Sequence, residues 1–253
     1  MAAVQVLSYT LHKHTDRELE IVPLFKSGIE IPEPKDPKNR ARTPFSFQRF
    51  TLPELGGHKR RTIYFDSDMI VFSDVGKLYD TDMHGLDAMS PGNTPGRGYE
   101  SRAVLLMSET CPWSVADLVQ RLDDGELTYE ELMFEFKVPG KTSLDLPYTW
   151  NSLELYEQGK TDLLHYTDMW LQPWLVRDNP RAYIWMRELF GAIDAGYLGR
   201  DDIARAVERR WVRPSLLYQV EKRIEDPRKV PFWVKLKDRS FINYAKEMKF
   251  RIF

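Results

Sequence analysis

Asp66 and Asp68 are the residues of this sequence best placed to do chemistry. They end the apolar run in "RRTIYFDSDMIVFSDV", residues 60 to 75. Thr62, Ile63, Tyr64 and Phe65 are β-branched or aromatic. The run therefore predicts a short strand buried on both faces, as in a mostly parallel sheet covered by helices. Side chains two apart on a strand share a face, which would point both carboxylates together and Ser67 away. Two like charges that close repel unless something positive sits between them. Carboxylate oxygens suit Mg²⁺ and Mn²⁺, so a divalent cation is the natural neutraliser. The alternative is a strand-end turn in which the two carboxylates cap backbone amides.

Composition narrows what such a site would serve. The 253 residues suffice for one full core, or for one domain with an appendage. Hydrophobic content of 42% and charged content of 29% are ordinary for a globular protein. A formal net charge of −2 gives no electrostatic basis for binding nucleic acid. Cys111 is the only cysteine, so no intramolecular disulfide can form and a reducing compartment is expected. No stretch approaches the apolar length of a membrane span, and His, Lys and Asp come too early for a secretory core. A cytoplasmic protein is expected, at most peripheral to the inner face of a membrane.

Val4, Leu7 and Leu11 follow helical spacing, and "ELEIVPLF" then predicts a strand. "SGIEIPEPKDPKNRART" is a surface loop by its Pro and charge content, and a short helix near residues 45–50 should pack Phe45, Phe47 and Phe50. "MIVF" and "RAVLLM" are further short apolar strands. "SVADLVQRLDDG" and "TYEELMFEF" are helices, each opened by capping-box spacing, Ser114 with Asp117 and Thr128 with Glu131. Strands alternating with helices predict an α/β layered fold up to about residue 175. From residue 179 the pattern is helical, broken by Gly196, Pro214 and Pro227. The final stretch, "KLKDRSFINYAKEMKFRIF", has six basic residues against two acids, interleaved with aromatics. It suits an interfacial helix on anionic lipid, or a helix docking back on the domain.

The segment from Thr43 to Asp80, "TPFSFQRFTLPELGGHKRRTIYFDSDMIVFSDVGKLYD", resembles the heart of the family 8 glycosyltransferases and their bacterial relatives. The resemblance extends to "LPYTWNSLE" at 146–154 and to "LLHYTDMWLQPW" at 163–174, which is similar to the family's closing His motif. It covers most of residues 3–175, unevenly. It implies a GT-A fold, an α/β Rossmann-like nucleotide-sugar-binding sheet flanked by helices, over residues 1–178. A helical C-terminal extension over 179–253 would follow. It implies that Asp66, Asp68 and His165 hold Mn²⁺ or Mg²⁺, with Arg49 and Ser67 beside them on the donor side. The implied reaction moves a hexose from a UDP- or GDP-hexose to a hydroxyl of a glycan, lipid-linked or small-molecule acceptor, with retention at the anomeric carbon. The residue types suit that chemistry, because a departing nucleoside diphosphate gathers negative charge that a divalent metal stabilises. Trp170 and Trp174 offer flat faces on which a sugar can stack, with Trp174 the better fit to a core position. Glu131 is accounted for as a cap.

The sequence departs from the family in three places. Gln172 precedes Pro173 where the family carries a Lys, so no phosphate-binding charge comes from there. "SRAVLLM" and "TYEELMF" replace segments that in the family serve the acceptor and the sugar cation, so no catalytic residue beyond the metal set carries over. Met1 stands almost at the family's first helix, so the strand before it is expected to be missing. Two rivals follow: a degenerate, non-catalytic protein that binds a sugar nucleotide or glycan, and a phosphatase using Asp66 as nucleophile.

Overall fold

The structure, a computed structural model, describes residues 2–43, 45–96, 104–168 and 170–241. The first element, helix α1 (Ala2–Lys13), buries one stripe of Val6, Leu7, Thr10 and Leu11, as residues three to four apart on a helix must. Thr10 also acts on the backbone of a strand. Its Oγ1 donates to Leu7 O at 3.0 Å and accepts from Val71 N at 3.3 Å. A strand edge that would otherwise bury an unpaired N–H is thereby satisfied by a helix side chain.

"ELEIVPLF" is not a strand. It runs irregularly into a 3₁₀ turn at Leu24–Lys26, and Ile21 and Val22 stay exposed. Pro23 has no N–H to give a ladder, and no strand edge pairs with the run among the described residues. A 3₁₀ turn at Gln48–Thr51 leads into α2 (Leu52–Leu55), where Phe47 and Phe50 are buried while Phe45 is half exposed. Strands β1 (Thr62–Tyr64) and β2 (Met69–Val71) flank the acidic motif. Helix α3 (Val75–Tyr79) follows, capped by Asp74, whose carboxylate accepts from Gly76 N at 2.8 Å. Next come β3 (Ala88–Pro91), β4 (Leu105–Met107), α4 (Val115–Asp123), α5 (Tyr129–Met133), β5 (Thr142–Leu146), β6 (Ser152–Leu153) and β7 (Leu163–His165). Arg102 and Ala103 of "RAVLLM" lie outside the described residues, as does the final stretch beyond residue 241. The box at Thr128 and Glu131 closes in both directions, at 3.2 and 2.9 Å. At Ser114 only the side chain's acceptance from Asp117 N is made.

The strands form a four-stranded sheet in the order β1-β4-β3-β5 and a three-stranded sheet in the order β2-β7-β6. Helices flank both, giving the expected α/β architecture. The expectation of a mostly parallel sheet is corrected: β1–β4, β3–β4 and β2–β7 are antiparallel, and only β3–β5 and β6–β7 are parallel. Burial on both faces of β1 is corrected as well. Ile63 and Phe65 are only half-buried, because the outer edge of β1 carries no strand among the described residues and faces a cleft.

The C-terminal part is helical: α6 (Ala182–Asp194), α7 (Arg200–Glu208), α8 (Ser215–Lys222) and α9 (Phe232–Lys235), with residues 238–241 helical as well. Helix α6 lies against α1 at a close approach, since a Cβ on Gly191 would stand 2.5 Å from Tyr9 Oη. The Lys13–Glu188 ion pair, at 2.8 Å, spans the same contact. One core runs through both parts of the chain, from Val6 and Ile70 through Tyr166 and Trp174 to Trp185, Leu189 and Leu216. Trp174 is therefore a core residue, its ring 5.2 Å from that of Trp185. The buried Arg213 fastens this junction, donating to Pro173 O at 3.2 Å and to Ser215 Oγ and Gln219 Oε1. Burial pushes its pKa down to about 9, against the pull of Asp238. No helix among the described residues is long and apolar enough to cross a membrane.

Trp185→Ala removes the large side chain on which these layers meet. It should cost about 3 to 5 kcal/mol, read in urea as a lower midpoint at unchanged slope. A loss below about 1 kcal/mol would mean that the two parts of the core do not depend on one another.

Candidate metal centre

Asp66 and Asp68 do not lie on a strand. Strand β1 ends at Tyr64, and both carboxylates sit in the connection to β2, with Ser67 exposed between them. What brings them together with His165 is the antiparallel ladder of β2 on β7, in which Met69 faces His165. Tyr166 N donates to Asp68 O at 2.9 Å, continuing the pairing by one step. At the other end Phe72 N donates to Asp162 O at 2.8 Å, and the Asp162 carboxylate accepts from Ser73 and Thr149 hydroxyls. Strand β6 closes the far side of β7. His165 thus projects from a central strand.

His165 Nε2 stands 3.2 Å from Asp68 Oδ1 and 3.8 Å from Asp66 Oδ2. One ligand atom from each of the three lies within 4.8 Å of the others. Neighbouring ligands of one octahedral ion with bonds of about 2.1 Å are about 3 Å apart, so the spacing fits a shared cation. The donor set, two carboxylates and an imidazole, fits Mn²⁺ or Mg²⁺. A further observation supports the fit: Asp68 Oδ1 is buried and has no aligned hydrogen-bond donor. A buried carboxylate oxygen is costly unless a cation faces it, either a bound metal or the protonated imidazole of His165, 3.2 Å away.

Three neutral groups hold the set in place. Asn151 Oδ1 accepts from His165 Nδ1 at 2.9 Å, which leaves Nε2 directed at the carboxylates. Gln172 Nε2 donates to Asp68 Oδ2 at 2.9 Å and to Tyr166 O at 3.4 Å. The Tyr64 hydroxyl donates to Asp66 Oδ1. Burial, reinforced by the charge of Asp66, pushes the Tyr64 pKa well above its ordinary value and keeps the phenol protonated to donate. For His165, burial works to lower the pKa, but the charges of Asp68 and Asp66 outweigh it and hold the imidazole above its usual value. Arg49 is buried on the 3₁₀ turn before α2, its guanidinium carbon 5.5 Å from the Tyr64 ring centre. Its positive charge opposes protonation of His165.

All of the expected site residues, Arg49, Asp66, Ser67, Asp68 and His165, line one cleft of about 1960 Å³. The outer edge of β1 and the side of α1 form its walls, and Phe45, Phe134 and Trp170 stand exposed along it. Trp170 is therefore open to the cleft, whereas Trp174 is withdrawn into the core. Sequence reasoning missed Asn151 and the orienting roles of Tyr64 and Gln172. Tyr64 had a signal, being two residues before Asp66; Asn151 had none, since only the β6–β7 pairing carries it to His165.

No family model matches the chain, and no curated protein matches it. Two solved structures of the glycosyltransferase GlyE from Streptococcus pneumoniae TIGR4, one of them the apo form, resemble it. Their TM-scores are 0.49 and 0.47, at 15% and 16% sequence identity over 78% of this chain. The match spans 61% of the length of those chains. Similarity of this degree assigns no activity to the present chain.

Gln172→Leu removes the donor that orients Asp68 without adding a charge. Mn²⁺ affinity measured by titration calorimetry should fall roughly 10- to 100-fold, with the far-UV circular dichroism unchanged. Equal affinity would mean that Asp68 is oriented without Gln172.

Proposed function

We propose that this protein is a metal-dependent glycosyltransferase of the GT-A type. It would transfer a hexose from a UDP- or GDP-hexose to a hydroxyl of a glycan, lipid-linked or small-molecule acceptor, with retention of anomeric configuration. The observation that carries the proposal is the convergence of Asp66, Asp68 and His165 at a cleft, around a buried carboxylate oxygen with no aligned donor. The resemblance of the surrounding sequence to family 8 glycosyltransferases supplies the reaction class.

On this proposal Asp66, Asp68 and His165 hold Mn²⁺ or Mg²⁺. The bound cation supplies Lewis-acid stabilisation of the negative charge gathered by a departing nucleoside diphosphate. Tyr64, Gln172 and Asn151 keep the three ligands in position before the donor arrives, which lowers the reorganisation needed at the reacting centre. Arg49 is the buried cation of the donor side, and Ser67 offers its exposed hydroxyl from the same turn. Trp170 presents an aromatic face on which a sugar ring can stack. A volume of about 1960 Å³ exceeds the roughly 300–1,000 Å³ of a typical small-molecule site. Donor and acceptor can then occupy the cleft together. The remaining task is to hold the acceptor hydroxyl on the face from which the diphosphate leaves, which is positioning rather than acid–base work.

A chain that binds a sugar nucleotide without turning it over is favoured by one observation. Gln172, at the position where the family carries a Lys, is engaged with Asp68 and Tyr166 and brings no charge to a phosphate.

Thermal unfolding with UDP, GDP and their hexose conjugates, each with and without Mn²⁺, separates the two. A ligand at 100 times its Kd stabilises by about 2.7 kcal/mol, which for this size raises Tm by roughly 5 to 10 °C. A shift that requires both one nucleotide and the metal is expected, and Asp68→Ala should remove it while lowering transfer roughly a thousandfold or more. Undiminished transfer by Asp68→Ala would overturn the metal assignment. A metal-dependent shift without transfer to any acceptor would select the binding protein instead.

A further inference from the structure

The most exposed large apolar side chains of the described residues lie far along the chain from the metal ligands. Phe232 is 70% exposed and its neighbour Trp233 57%. Both belong to α9 and the helical turns that follow it. Val234, Asp238 and Phe241, spaced by four and three residues, form the inward stripe of that segment and are buried. The inward stripe is thus fully packed. Its opposite face would ordinarily be polar, yet it carries Phe232 with Leu236 one turn on, and Trp233 with Lys237 one turn on. The Trp233 ring is propped edge-on by Tyr218, 5.4 Å away at 80°.

The charges around this face are unbalanced. Residues 226–241 contain five basic side chains and two carboxylates, in a chain whose net charge is −2. Both carboxylates are engaged. Asp238 is buried, its oxygens accepting from Ser215 N at 2.9 Å, Ser215 Oγ at 2.7 Å and Arg177 Nε at 2.9 Å. Asp226 is paired with Arg228 at 2.9 Å. Lys229, Lys237 and Arg239 have no ion-pair partner among the described residues and are exposed. An exposed aromatic pair on a segment that also carries exposed cations with no ion-pair partner among the described residues matches the layering of a bilayer surface. Trp favours the headgroup boundary, and the phosphates there attract Lys and Arg. A second copy of the chain would bring the same basic segment against itself, which disfavours a two-fold contact. Nucleic acid is disfavoured by the chain's overall acidic balance.

We propose that this face docks on an anionic lipid bilayer. Phe232 and Trp233 enter the boundary between headgroups and acyl chains, and Lys229, Lys237 and Arg239 meet the lipid phosphates. The inference does not depend on what the cleft does.

The test is flotation of the full chain with vesicles of phosphatidylcholine alone and of phosphatidylcholine with a quarter phosphatidylglycerol. The chain is expected to float with the anionic vesicles and to remain behind with the neutral ones. Phe232→Ser combined with Trp233→Ser should lower partitioning about tenfold or more at unchanged Tm. Lys229→Gln, Lys237→Gln and Arg239→Gln together should lower it roughly a hundredfold. Failure of the unaltered chain to float with anionic vesicles would overturn the proposal, as would equal flotation of the aromatic variant. Sedimentation of the unaltered chain as a dimer without lipid, abolished by the aromatic variant, would overturn it in favour of a second copy.

Discussion

The antiparallel register of β2 on β7 is the constraint on which the site depends. Met69 opposite His165 sets the imidazole beside Asp68, and the pairing continues into Asp68 O itself. A slip of one residue would turn His165 to the other face of the sheet, since successive side chains alternate. The register is held at both ends, by Tyr166 N on Asp68 O and by Asp162 with Phe72, Ser73 and Thr149. Along its outer side Thr10 of α1 satisfies Val71 N, so the strand that follows the acidic motif is braced by a helix.

The electrostatic design of the cleft follows from that geometry. Two carboxylates and a buried imidazole converge, and a phenol and two amides, none of which brings charge, bond to them directly. Neutral donors fix positions without neutralising the carboxylates, and so leave their charge to attract a cation. Charged donors in the same places would have consumed it. Arg49 lies over the Tyr64 ring, and its positive charge acts on His165.

The C-terminal helices serve the same end from behind. Arg213 ties the end of the His motif, at Pro173, to α8, and Trp174 packs on Trp185 of α6. Gln172 lies immediately before these anchors, so its grip on Asp68 is backed by core packing. Farther along, the inward stripe of Val234, Asp238 and Phe241 satisfies the packing of the last described turns. Their outer face is left to other uses.

Much of this was legible in the sequence, and for definable reasons. Helical spacing predicted α1, α4, α6, α7 and α8, because amphipathic periodicity is a local property. The cap at Thr128 and Glu131 was readable for the same reason. The Asp-x-Asp motif announced itself through its like charges, and the resemblance to a family joined it to a histidine about a hundred residues away. The failure of "ELEIVPLF" to pair was not legible, since a strand forms only where another edge receives it. The mixed strand directions also lie beyond local pattern. Nor did the sequence reveal that Asn151 orients His165 or that Gln172 holds Asp68, because those partners meet through sheet pairing between distant segments. The sequence by itself determined which side chains could bind a cation. The tertiary structure alone decided that they meet, because only a ladder between residues far apart in the chain brings an imidazole within 3.2 Å of a carboxylate.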